Sequence, residues 1–184
     1  MEHSTKMLGG IGYIVLIAFA IFGSFLPFAG LISLAAAICV MIAFIQAGNQ
    51  LHRPTIKNDI IIAVVLYIVS AVLLLFVVGA GLIGLLASGG HGAGLAALGA
   101  SAIIGGLIAW VLSIVSSWFW YKASTSLAEA TGTPMFKTGG LLMFIGAILL
   151  VIGIGFILML IGQILQTIAF FQVTETNPAT TSAT

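Results

Sequence analysis

Between residues 60 and 86 the chain carries no charged side chain, and the rest of it is nearly as poor in charge. Five Lys and Arg and four Asp and Glu serve all 184 residues, 5% in total, where a soluble domain carries about 25%. So few charges cannot wet the surface of a water-soluble globule. The 61% hydrophobic content and mean hydropathy of +1.32 also exclude a disordered chain. A net charge of +1 and a single cysteine exclude a nucleic-acid binder with a basic face and a disulfide-stapled secreted module. What remains is a multi-pass, all-α bundle in a membrane.

Polar joints divide the chain. A first apolar run covers residues 8–26 and a second 28–47, with Pro27 marking a tight turn because proline fixes φ and has no N–H. Nineteen or twenty helical residues rise about 30 Å, one hydrocarbon core. The polar joint 48–59 holds Arg53-Pro54 as a stop and Asn58 or Asp59 as a cap for the next helix. The third run is 60–86. The fourth begins somewhere in 95–100, after the glycine-rich turn around His91, and ends in Trp118-Phe119-Trp120-Tyr121-Lys122. That cluster reads as an interfacial belt where the helix leaves the membrane, followed by a polar joint over 122–137 with the breaker Gly132-Thr133-Pro134.

The last run, 139–171, admits two readings. As one helix it would be about 50 Å long and need a tilt above 40°. As a hairpin turning near Gly153-Ile154-Gly155 it gives two helices at or just below the ~17-residue limit. Charge favours the hairpin. With six spans, as three hairpins, Lys6, Arg53, Lys57, Lys122 and Lys137 share one side, while the turns near Pro27, His91 and Gly155 carry no charge. Basic residues collect in the cytoplasm, so the expected location is the cell membrane with both termini inside. Five spans, with a long tilted last helix, would keep the basic pattern but put Glu175 outside. Residues 1–173 form the expected membrane domain and 174–184 a flexible Thr/Ala-rich tail. The start reads as an uncleaved first span rather than a signal peptide, because the apolar pattern continues into a paired second helix. Cys39 reads as a packing residue.

A weak internal repeat is visible. Lys6 and Lys137 are 131 residues apart, Gly9-Gly10 and Gly139-Gly140 130 apart, and Ile42-Ala43-Phe44 and Ile168-Ala169-Phe170 126 apart. These echoes make the first and last hairpins duplicates in the same orientation, around a different central hairpin. Together with the Pro-Phe-Ala-Gly turn at 27–30 and Thr-Gly-Thr-Pro-Met-Phe-Lys-Thr-Gly-Gly at 131–140, the pattern resembles a largely archaeal prokaryotic family catalogued as domain of unknown function 996. The resemblance spans nearly the whole chain. It implies a multi-pass membrane protein of undefined activity and carries no catalytic or binding residues across.

Three constellations stand out. Ser101, Gly105, Ala109, Ser113 and Ser117 recur at intervals of four, a small-residue face on which another helix can pack, within the chain or from another subunit. Ala35, Cys39, Ala43 and Ala47 make a similar run in the second helix. Gln163 and Gln166, three residues apart, are strongly polar side chains deep in an apolar run; they read as interhelical glue or as part of a polar path. Arg53 and Lys57 read as inner-surface anchors to anionic headgroups. His91 reads as a loop histidine, since a metal site needs three or four ligands.

No Asp, Glu, Lys or Arg falls in mid-span, which argues against proton relays, voltage sensing and ion-coupled transport. No metal, phosphate-binding or nucleophile motif is present. The expected role is therefore non-enzymatic, without cofactor or nucleic acid. The chain is read as a structural or accessory subunit in the lipid bilayer, associating with other membrane subunits or with itself. The alternative is a passive channel or carrier for a small neutral solute, lined by Gln163, Gln166 and the serines of the fourth helix.

Overall fold

The computed structural model describes residues 1–22, 29–87 and 92–173. It is a bundle of six helices: α1 (His3–Phe22), α2 (Ala29–Gln50), α3 (Pro54–Ala87), α4 (Gly92–Thr131), α5 (Met135–Leu149), which ends in a 3-10 turn at Leu150–Ile152, and α6 (Ile154–Gln172). All six, with α5 taken together with its 3-10 turn, are long and apolar enough to cross a membrane, and among the described residues there is no strand. Lipid offers no partner to a stray N–H or C=O, so a chain this apolar satisfies its backbone within helices. The Pro27 turn, the turn at His91 and the tail at 174–184 lie outside the described residues.

The apolar run at 139–171 is a hairpin. Gly153 sits at φ +80°, in the left-handed region, and its N–H returns to the carbonyl of Leu150 at 3.0 Å. Glycine adopts that backbone without the steric cost a Cβ would bring. The α2–α3 turn is made differently. His52 takes the left-handed position (φ 54°), the Arg53 N–H bonds the Gly48 carbonyl at 2.9 Å, and the His52 N–H bonds the Asn49 carbonyl at 3.3 Å. This pair of bonds is a Schellman C-cap.

Three boundaries differ from the sequence expectation, the first being the start of α4, at Gly92 rather than in 95–100. Helix α3 begins at Pro54, where a missing N–H costs nothing. Asn58 and Asp59 therefore lie within the helix rather than capping it, and the Asp59 carboxylate meets Lys122 Nζ of α4 at 3.6 Å. Helix α4 does not end at the aromatic cluster. It continues to Thr131, because no breaker precedes Gly132 (φ +69°) and Pro134. Ala123, Leu127 and Ala128 hold this last stretch against the core.

Each helix packs on the next in sequence, and α6 returns to α1. The six thus form a closed ring of three hairpins. Alternation of direction places the start of α1, both ends of the α2–α3 and α4–α5 joints and the end of α6 at one end of the bundle. Lys6, Arg53, Lys57, Lys122 and Lys137 all belong to that basic end. The core sits there too: Tyr13, Val40, Phe44, Ile56, Ile60, Leu127, Phe136 and Phe170 are buried, with Met1 and Val173 from the two chain ends packed among them.

The opposite half is built from α3 and α4 alone over much of its length. Measured from the buried aromatics, α1 continues nine residues to Phe22, α2 fifteen back to Ala29, and α6 sixteen back to Ile154. Helix α4 runs twenty-eight back from Trp120 to Gly92. These are rises of about 14, 22, 24 and 42 Å. The α3–α4 hairpin therefore overreaches its neighbours, and its outer half is apolar and open: Leu75, Phe76, Ile83 and Leu86 are 70–79% exposed.

Candidate functional site

Four sets of polar and aromatic contacts join the helices. At the basic end, α1 and α2 are joined by a short chain of hydrogen bonds. Gln50 Nε2 donates to Thr5 Oγ1 at 2.9 Å, Thr5 Oγ1 donates to Gln46 Oε1 at 3.0 Å, and the Glu2 N–H donates to Gln50 Oε1 at 3.0 Å. Thr5 is wholly buried, so its hydroxyl needs these partners. Sequence reading missed this set. The signal available was three polar residues in the terminal turns of paired helices.

Above it lies an aromatic layer. Tyr13 packs edge-on to Trp120 (6.5 Å between ring centres), and Trp120 Nε1 donates to the Tyr13 hydroxyl at 3.0 Å. Phe170 meets Phe44 at 5.6 Å and Phe136 at 5.0 Å, both edge-to-face. Phe44 also meets Trp120 at 5.4 Å. Five helices thus fill the centre of the ring with aromatic side chains, three of whose contacts are edge to face, the arrangement their quadrupoles favour. Phe44 and Phe170 are the residues paired by the internal repeat. Glycines admit the close approach: a Cβ on Gly9 would lie 2.5 Å from the Phe170 ring.

The third set stitches α3 to α4. Ser70 Oγ donates to the Ala109 carbonyl at 3.0 Å and Ser116 Oγ to the Ala63 carbonyl at 2.8 Å. A Cβ on Gly105 would run into the Val77 side chain, and Ala109 is buried. Of the predicted small-residue face, Gly105 and Ala109 therefore serve contact within the chain. Ser113 instead donates to the Trp110 carbonyl of its own helix at 2.7 Å, and Ser117 is half-buried. The side chain of Ser101 lies outside the described residues. The reason is helical drift: steps of four advance about 40° each, so Ser117 has turned about 120° from Gly105, while Ser116 returns to within about 20°.

The fourth set contains the two predicted glutamines. Gln166 is wholly buried. Its Nε2 donates to Ser124 Oγ of α4 at 2.9 Å and to the Phe136 carbonyl at the start of α5 at 3.1 Å, which ties α6 to both. Gln163 is half-buried. The Oε1 atoms of both are buried and receive no hydrogen bond. Arg53 and Lys57 are exposed at the basic end. Cys39 lines a shallow apolar groove between α1 and α2 with Met7, Ile11, Ile32 and Ala35. Among the described residues, no three His, Cys, Asp or Glu side chains converge.

A ring of six apolar helices, with Thr5, Ser70, Ser116 and Gln166 bonded from helix to helix, defines a multi-pass helical membrane protein. Residues 32–164 match the family described as Protein of unknown function (DUF996), and the chain belongs to that family. It is also similar to an uncharacterised protein of Methanocaldococcus jannaschii, 27% identical over 170 residues that cover 92% of this chain and 91% of that one. No solved structure matches it.

Proposed function

We propose that this protein is a non-enzymatic structural or accessory subunit of the cell membrane, with its basic end and both termini in the cytoplasm, and that it receives other membrane chains along the outer half of α3 and α4. The observation that carries this reading is the overreach of that hairpin. From Asp59, at the polar boundary, α3 has twenty-eight further residues to Ala87, a rise of about 42 Å. A hydrocarbon core is about 30 Å thick, so lipid alone covers the hairpin only if it tilts by about 45°, beyond the usual range. A neighbouring apolar chain covers it without that tilt.

The surface also suits close helix approach. Gly79 and Gly84 of α3 and Gly99 and Gly106 of α4 each leave open space where a Cβ would stand, and small residues at a lipid-facing surface let another backbone come near. Gly105 and Ala109 are already used inside the hairpin, so they are not the partner's footing. The positive-inside tendency supports the orientation, and anionic headgroups suit Arg53 and Lys57.

The test is gentle extraction of the tagged protein followed by native mass spectrometry. A stoichiometric second chain, or a homo-oligomer, lost in a Gly79→Leu, Gly84→Leu variant of unchanged thermal stability, is the expected result. A lone monomer under the mildest extraction would end the accessory reading. The channel alternative draws on a single feature, the two bare glutamine carbonyls. Solute flux into proteoliposomes above empty controls would favour it.

A further inference from the structure

We propose that Gln163 and Gln166 form the acceptor half of an intramembrane binding site for one small neutral hydrogen-bond donor, a water molecule or an N–H solute such as ammonia. This goes beyond the accessory reading and does not depend on it. Both Oε1 atoms are buried and find no donor among the described residues. Gln166 is wholly buried, and its orientation is fixed, because its Nε2 is held by two acceptors, Ser124 Oγ and the Phe136 carbonyl. Turning the amide over would set its carbonyl against the Phe136 carbonyl, so the orphan cannot be relieved by a flip. Buried carbonyls are paired with protein or with ordered water in nearly every case.

The two side chains share the inward arc of α6. Gly155, Gly162, Gln166, Ala169 and Phe170 are buried, while Ile157, Ile161, Ile164 and Ile168 face outward. Gln163 is seven residues before Phe170 and so lies within about 20° of it around the helix. Phe170 points at Tyr13 and Phe44 in the middle of the ring. Three residues apart, the glutamines have Cβ atoms about 5–6 Å from each other, close enough for one small molecule to reach both carbonyls. The stoichiometry also fits: two acceptors lack donors, and water or ammonia offers at least two hydrogens. A cation is disfavoured, since among the described residues no three His, Cys, Asp or Glu side chains converge, and an uncompensated charge within a span is costly.

The experiment is NMR of the full chain in deuterated detergent micelles, with side-chain amides of glutamine labelled with nitrogen-15. Cross-relaxation from long-lived water to the Gln163 and Gln166 amides, lost at Gln166 in a Gln163→Met variant, is the expected signature of bound water. Gln163 Nε2 has no bond comparable to those that hold Gln166, so this variant should keep the helical content and melting temperature of the parent. Titration with ammonia at alkaline pH, and separately with urea, separates the two sources. Saturable shifts confined to these two amides would assign the site to a solute. Neither water cross-relaxation nor saturable shifts at either amide would overturn the proposal.

Discussion

The basic end and the α3–α4 overhang are made from nearly the same amino acids, yet one is a core and the other a surface. At the basic end, all six helices contribute large side chains to one contact cluster, and glycines bring backbones close enough for rings to mesh. In the overhang, two helices meet only each other, and glycines such as Gly79 and Gly106 face nothing. Lipid is as apolar as leucine, so transfer from water does not distinguish these regions. What distinguishes them is dispersion contact and fit. Substitutions of like chemistry in the two regions should therefore differ sharply.

The largest contrast is expected for phenylalanine truncation. Phe170→Ala empties the place where α1, α2 and α5 meet and should lower stability by about 3 kcal/mol, mostly as cavity cost. Phe76→Ala, at a side chain 72% exposed, should stay within about 0.5 kcal/mol. Thermal unfolding in mild detergent checks both. Equal effects would mean that the overhang is packed as tightly as the core, by a partner or a second copy.

Glycine enlargement comes next. A Cβ at Gly139 would lie 2.9 Å from the Gly162 carbonyl, so Gly139→Leu should wedge α5 from α6 and cost about 1–3 kcal/mol. Gly79→Leu, whose Cβ would meet nothing, should leave the isolated chain unharmed, and the same melt reads it alongside its effect on assembly. Tyr13→Phe is smaller again. It strips the Trp120 N–H of its acceptor in a buried setting, at a cost of about 1–2 kcal/mol. Tyr67→Phe on the open face of α3, where Tyr67 is 61% exposed, should be nearly silent.

Much of the fold was legible because membrane thickness, glycine, proline and the placement of five basic residues act without reference to packing. Those constraints give six helices, the Gly153 turn and a single basic end. The extent of α4 was misread because Trp118–Lys122 marks an interface, and an interface does not end a helix. Only Gly132 and Pro134 do that. The core was hidden for a different reason. In a chain where nearly every helix face is apolar, sequence offers little contrast between the side that meets protein and the side that meets lipid, so Tyr13 and Phe136 did not stand out, and Phe44 and Phe170 did so only as echoes of a repeat. Gln166 did stand out, because an amide in hydrocarbon is conspicuous wherever it faces. Its partners Ser124 and Phe136 are 42 and 30 residues away and could not be named from spacing.

The smallest expected effect bears on where the packed region stops. Lys122 pairs with Asp59 at 3.6 Å and lies over the Phe119 ring at 5.4 Å. Its side chain is 48% exposed and that of Asp59 13%, so the pair sits at the rim of the core. An ion pair with one partner in water is screened and contributes little. Lys122→Gln should therefore cost ~0.5 kcal/mol, and added salt should narrow the gap between variant and parent melts. A loss as large as that of Tyr13→Phe, insensitive to salt, would mean that the pair is shielded. The basic end would then be covered in the native membrane, and the contrast between a closed end and an open overhang would have to be redrawn with a partner at both.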